Sequence, residues 1–311
     1  MEGLVFENIN EAQLFFLKEL LASGEEIDTR GTRTLELSPV FFSIANPLKR
    51  ITTLRGRNWK FATALGELSW HLSVSNDVDF ICNYLSGWKN FSNDQKQIIG
   101  SCYGKRIFER KNNGVSKWEE IISLLKSDLQ SRRAVISLLD SDAKLNPFEV
   151  DISCTVSLQF LIRNGKLDLI VNMRSNDVIW GLPYDFFFFS FLQELMALEL
   201  NLPVGFYYHL AGSLHIYDRH YEMAKKITTG DTSFLDLEMP RMKSNELEIF
   251  LSMESEIRSG KIDIDVIKRL QVDVYWKELL EVLYFYNNKK NPKMKNEEAE
   301  FISKNKYASV V

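Results

Sequence analysis

Asp151-Ile-Ser-Cys-Thr-Val-Ser-Leu-Gln-Phe-Leu-Ile-Arg163, the turn Asn164-Gly165, and Lys166-Leu-Asp-Leu-Ile-Val-Asn-Met-Arg174 form the stretch on which the fold turns. Asn-Gly between two strand-like runs signals a two-residue hairpin, because both positions tolerate positive φ. The first arm, Ile152 to Ile162, is almost continuously apolar and reads as a buried strand. In the second, Leu167, Leu169, Val171 and Met173 alternate with Asp168, Ile170, Asn172 and Arg174. Period two places the first set on one apolar face and Arg174 on the other, toward a cleft or solvent.

Working outward, Phe186 to Leu200 is the most apolar run, yet Ser190, Gln193, Glu194 and Glu199 interrupt it. It is too short and too polar to span a bilayer and reads as a buried helix. Gly205 to Tyr217 follows as a further strand pattern, and Ala134 to Leu139 precedes the hairpin as another. Helices are predicted over Lys117–Gln130, with Trp118, Ile121, Leu125 and Leu129 on one stripe, and over Asn58–Ser73, with Phe61, Leu65, Leu68 and Leu72. Residues 28–54, with Thr34-Leu-Glu-Leu37 and Phe41-Phe42, read as short strands and turns. An N-terminal helix is expected from about Glu11 to Ala22, capped by Asn10 and stopped by Gly24. The C-terminal third changes character: helices over Glu246–Arg258 and Val274–Tyr286 flank Ser259-Gly260, and a mobile connector rich in Lys, Asn and Glu runs over Asn287–Lys306. The class is α+β, a mixed sheet packed with helices. Residues 1–240 are read as the main domain and 241–311 as a helical extension with a mobile tail.

The 311 residues, 45% hydrophobic and 26% charged, suffice for one large core or one core with an appendage. A net charge of −4 lacks the basic excess of a general nucleic-acid binder. An anionic small ligand stays open, since clustered arginines do not require a basic protein. Cys82, Cys102 and Cys154 show no CxxC spacing, which favours a reduced, cytoplasmic compartment. Met1 to Asn10 lacks the basic and apolar regions of a signal peptide.

Taken one at a time, the candidate residues are ambiguous. Cys154 is either an inert buried cysteine or a nucleophile whose thiolate needs nearby positive charge. Arg132-Arg133 can fork onto a phosphate or simply close a helix. Glu67 lies off the apolar stripe, where a surface carboxylate is equally natural. His215 and Tyr217 alternate on one strand face, as many structural pairs do.

Read together and in order, seven blocks resemble the thymidylate synthase family, which includes the deoxycytidylate hydroxymethylases. They are Gly66-Glu-Leu-Ser-Trp70, Tyr103-Gly-Lys105, Ser131-Arg-Arg133, Cys154 with Gln159-Phe160, Arg174-Ser-Asn-Asp177, Gly181-Leu-Pro-Tyr-Asp185 and His215-Ile-Tyr217, spread over roughly residues 28–225. The resemblance implies a mixed-sheet fold with a sheet-to-sheet homodimer. It implies Cys154 as the nucleophile at C6 of the pyrimidine, Glu67 as the organiser of water and proton transfer, and Tyr103 as the active-site tyrosine. Arg174 and Ser175 would bind phosphate, and Arg132 and Arg133 would hold the same phosphate in the neighbouring subunit. Gln159, His215 and Tyr217 would complete the nucleotide site, the last two at the sugar 3′-hydroxyl. Asp177, Gly181, Trp88 and the terminal Val311 would face methylenetetrahydrofolate, the implied co-substrate; no metal, membrane or nucleic acid is implied.

The departures decide the substrate expected. Asp185 stands where synthases place a uracil-reading asparagine, a substitution that characterises the deoxycytidylate hydroxymethylases. Uracil offers a carbonyl at C4 and a donor at N3, whereas cytosine offers an amino donor and an acceptor. A carboxyl that accepts from the amino group and shares a proton with N3 suits the second pattern. Thr155 replaces a common histidine, Ser213 a common aspartate, and Arg30 is one place off the usual phosphate-binding arginine. The expectation is therefore hydroxymethylation of dCMP. The alternatives are a dUMP-directed synthase or hydroxymethylase, a CMP hydroxymethylase, and a catalytically silent regulatory homologue, for example an RNA-binding one.

Overall fold

The computed structural model describes residues 3–29, 31–140, 149–288, 306–307 and 310. Its strands are β1 (Leu4–Phe6), β2 (Glu25–Thr29), β3 (Thr32–Leu37), β4 (Val40–Ile44), β5 (Val135–Ser137), β6 (Thr155–Arg163), β7 (Lys166–Met173), β8 (Asn176–Asp177), β9 (Val204–Ala211) and β10 (Leu214–Tyr217). Its helices are α1 (Ile9–Ser23), α2 (Phe61–Leu72), α3 (Val78–Cys82), α4 (Tyr103–Phe108), α5 (Lys117–Ser127), α6 (Gly181–Glu199), α7 (Tyr221–Thr229), α8 (Leu247–Arg258), α9 (Ile264–Arg269) and α10 (Val274–Asn288).

The expected hairpin is β6 and β7, closed by Asn164 and Gly165 at φ 51 and 71°. It sits inside a six-stranded mixed sheet of order β1-β4-β9-β7-β6-β5. The expected strand Gly205–Tyr217 divides: β9 joins this sheet, whereas β10 leaves it for a second sheet of order β2-β3-β10-β8. Leu167, Leu169, Val171 and Met173 all lie in the core, as the alternation requires. Helix α6 covers that face, buried from Leu182 to Ala197 except at partly open Asp185.

Several boundaries differ from expectation for local reasons. Asn8, not Asn10, caps α1: its side chain accepts from Glu11 N at 3.0 Å. Asn10 is instead buried, donating to Ile51 O and accepting from Thr53 N. Helix α2 begins at Phe61 because Asn58 sits at φ 50°, outside the right-handed region. Its stripe is buried as expected. Helix α5 opens on a Ser116–Glu119 capping box and ends at Ser127, leaving Leu129 beyond it and 56% exposed.

The two C-terminal helices expected are present, with α9 between them unforeseen. They pack on each other through Trp276 against Phe250 and on α6 through Trp276 against Phe191, and Tyr84 OH donates to Glu254 at 2.6 Å. Most of the expected connector 287–306 lies outside the described residues. Among the described residues no helix is long and apolar enough to cross a membrane.

Candidate active site

The hairpin brings Cys154 and Arg174 together. Cys154 immediately precedes β6, Arg174 immediately follows β7, and Arg174 N donates to Cys154 O at 2.9 Å. The guanidinium is fixed by donation to Ser153 O at 2.9 Å and Ile152 O at 2.8 Å, which leaves Nη2 3.8 Å from Cys154 Sγ. A cation held at that distance favours a thiolate, and Arg174 is exposed, as an anion-binding residue must be.

Two carboxyls with raised pKa lie nearby, joined to Cys154 through Tyr103, whose phenol feels both Asp185 and Cys154. Burial pushes Glu67, whose side chain is 16% exposed, up to about 8, with the negative field of Asp185 adding to it. Burial likewise pushes Asp185, in the first turns of α6, up to about 7. Asn176 Nδ2 donates to Asp185 Oδ2 at 2.7 Å and opposes that rise, while nearby Asp177 reinforces it. One turn after Glu67, His71 Nε2 stands 3.9 Å from Glu67 Oε1. Burial holds His71 down to about 3, so at neutral pH the imidazole is uncharged. Tyr103 stacks on His71 at 5.3 Å, and its phenol is pushed well above its usual value by burial, then by Asp185 and Cys154. Gly104 permits this packing: a Cβ there would lie 1.9 Å from His71 O.

A second group adjoins on β8 and β10, where Asp177 pairs in register with His215. Ile179 N donates to Asp177 Oδ1 at 2.8 Å. Burial lowers the His215 pKa against the opposing field of Asp177. His215 and Tyr217 share a face as expected, their rings edge-to-face at 5.0 Å. Ser213 bonds both Glu36 and His215. Beyond Asp177, Trp180 is 39% exposed, and the buried Arg57 guanidinium lies 4.6 Å from its ring. Burial lowers the Arg57 pKa, while its charge is met by the Trp180 and Tyr184 rings and by the field of Asp177.

The remaining expected site residues lie around this group or outside the described residues. Gln159 donates to Arg132 O at 2.9 Å, and both Arg132 and Arg133 are exposed at the β5 edge. Ser175 is half-buried between Arg174 and Asn176. Trp88 packs on Trp70 at 5.5 Å. Gly181 lies against the Asn176–Asp185 pair. Val311 and Arg30 fall outside the described residues, whereas neighbouring Val310 lines a cavity of about 420 Å³ with Thr52, Leu54 and Trp59. Among the described residues no group of three His, Cys, Asp or Glu is placed to hold a metal ion.

Sequence reading missed Asn176, His71, Arg57 and Asp151. Only His71 had a local signal, its i,i+4 spacing from Glu67 on one helix. Asp151 accepts from Ile99 N, Gly100 N, Ser101 N and Ser101 Oγ at 2.6–2.9 Å, tying the approach to Tyr103 to the approach to Cys154.

Comparison with known proteins adds a family. The thymidylate synthase family model matches residues 13–261, beyond the 28–225 read from the blocks. The deoxyuridylate hydroxymethyltransferase of Bacillus phage SP01 is 32% identical over 224 residues, covering 68% of this chain and 58% of that protein. Its namesake from Pseudomonas phage M6 is 29% identical over 221 residues, covering 70% and 62%. The thymidylate synthase of Enterobacteria phage T4 is 30% identical over 233 residues, covering 68% and 78%. The chain thus spans 58–62% of the length of the two phage hydroxymethyltransferases.

Proposed function

This chain belongs to the thymidylate synthase family, and from that premise we propose that it hydroxymethylates C5 of dCMP, using methylenetetrahydrofolate and water. The observation that carries the base assignment is Asp185, a cleft carboxyl with its pKa raised to about 7 where the family's uracil readers carry asparagine. Near neutrality it holds a proton about half the time, so one oxygen accepts from the cytosine amino group while the other donates to N3.

C5 of a pyrimidine is a poor nucleophile until something adds at C6. Cys154 Sγ, beside Arg174, forms the S–C6 bond and turns C5 into an enamine-type carbon. Glu67, titrating near 8, exchanges protons with water at the C5 side. Asp177, Trp180 and the buried Arg57 beside them fit the folate, which supplies a one-carbon unit at the oxidation level of formaldehyde. Water entering the cleft provides the hydroxyl, the C5 proton leaves, and expulsion of Cys154 restores the ring. The balanced products are 5-hydroxymethyl-dCMP and tetrahydrofolate.

The outer face of the large sheet supports a sheet-to-sheet homodimer. Phe41, Phe206 and Leu210 are exposed there, and Tyr208 stacks with the first two. In that assembly Arg132 and Arg133, exposed at the sheet edge, would reach the partner's phosphate.

The second reading is dUMP, the nucleotide in the names of the two phage relatives. Incubation with dCMP, dUMP or CMP and labelled methylenetetrahydrofolate separates these by product mass. An absorbance rise from dihydrofolate would replace hydroxymethylation by methylation. Absence of turnover with every nucleotide, with Cys154→Ala leaving the biological role intact, would favour a silent homologue.

A further inference from the structure

We propose that Asn176 is the positioning residue that fixes which oxygen of Asp185 accepts and which carries the proton, and so sets the discrimination between an amino and a carbonyl group at C4. This rests on the reading of Asp185 as the base-contacting residue. Asn176 is 2% exposed and is anchored through its backbone, which donates to Ser213 O at 2.8 Å within the β8–β10 pairing. From that fixed place its amide donates to Asp185 Oδ2 at 2.7 Å. Gly181 makes the approach possible: a Cβ there would stand 2.9 Å from Asn176 Nδ2 and 3.3 Å from Asp185 Oδ2.

A lone protonated carboxyl is ambiguous. With the proton on one oxygen it matches the amino-and-acceptor edge of cytosine; with the proton on the other it matches the carbonyl-and-donor edge of uracil. The amide donor removes the ambiguity, because an oxygen receiving N–H is favoured as the acceptor and the proton is left to Oδ1. Since the base is held at C6 by Cys154 and at its phosphate by Arg174, swapping the two oxygens is not compensated by moving the ring. Glu67 from α2, Tyr103 from α4, Asp177 from β8 and Tyr207 from β9 also lie within electrostatic reach of Asp185. None of them is placed by a hydrogen bond to Oδ2 among the described residues.

Asn176→Leu removes the donor, and Gly181→Ala crowds the same pair from outside while keeping the amide. For each folded variant, dCMP and dUMP are compared by equilibrium binding and by kcat/KM. The preference shown by the unmodified protein, whichever base it favours, should shrink about tenfold toward unity in both variants. In Asn176→Leu the Asp185-dependent limb of the pH profile should also move upward. Unchanged discrimination in either folded variant, or an unmoved limb in Asn176→Leu, would overturn the proposal. An unmodified protein that prefers dUMP overturns the dCMP assignment instead, and leaves this comparison intact.

Discussion

Glu67 and Asp185 are carboxyls held above their ordinary range, and each makes a pH prediction of definite sign. Glu67 moves from an ordinary value of 4.5 to about 8 on folding, so the folded chain binds this proton more tightly than the unfolded chain does. Its contribution to stability is complete below about 4.5 and is lost as pH rises through about 8, on the order of a few kcal/mol. Thermal melts from pH 5 to 9 should therefore show the unmodified protein losing stability relative to Glu67→Gln; parallel curves would contradict the buried-acid picture. On the proposed dCMP reading, Asp185, near 7, donates its proton to cytosine N3. Accordingly kcat/KM for dCMP should fall about tenfold per pH unit well above 7, provided Asp185 is the titrating acid. Asp185→Asn restores a donor-and-acceptor amide suited to uracil and should invert the dCMP-to-dUMP ratio by on the order of 10²-fold. Loss of both activities in equal measure would deny it the base-reading role.

At the scale of elements, the site depends on one strand irregularity and one carboxylate. The β6–β7 ladder runs regularly from Arg163↔Lys166 to Ser157↔Asn172, then shifts so that Thr155 faces Met173. An unshifted ladder would set Thr155 opposite Arg174; the shift brings Cys154 there, as bulges beside functional sites often re-aim a residue. Asp151 then secures segment 99–101, and with it Tyr103, through four hydrogen bonds. Asp151→Ala strips a buried acceptor from three backbone N–H groups and should cost about 3 kcal/mol or more. Turnover should fall further than occupancy of the folded state; a chemical denaturation curve beside a kcat measurement separates the two, and unchanged kcat would remove Asp151 from the positioning scheme. The hairpin, the α2 stripe and the apolar α6 were legible because each is a periodic pattern within one window. The shift of register was not, since it depends on no special residue such as glycine. The Asn176–Asp185, His71–Tyr103 and Asp151–Gly100 contacts were not legible either, because meetings between different elements, nine to about fifty residues apart, are set by packing and leave no periodic trace.

Across the whole molecule, the segment entering α8 is tied to α6 and to the segment before α2 through a buried ion pair. Arg50 and Glu194 meet at 2.7 Å with side-chain exposures of 0% and 5%. Glu194 Oε1 also accepts from Met242 N at 2.8 Å, so one carboxylate joins the segment before α2, helix α6 and the chain entering α8. Removing one member leaves the other charge buried without a counter-ion, which costs about 3–5 kcal/mol, whereas replacing both by apolar groups of similar size is far milder. Arg50→Met and Glu194→Met should each destabilise strongly, and the double substitution should be more stable than either. Urea denaturation of the three variants gives the coupling free energy directly. Loss of the Met242 tether should additionally raise amide exchange around residues 240–244 in Glu194→Met and not in Arg50→Met, because only the former lacks the acceptor. Additive destabilisation, or equal exchange in both, would mean that α8 and α10 are held by the Trp276 and Tyr84 contacts instead.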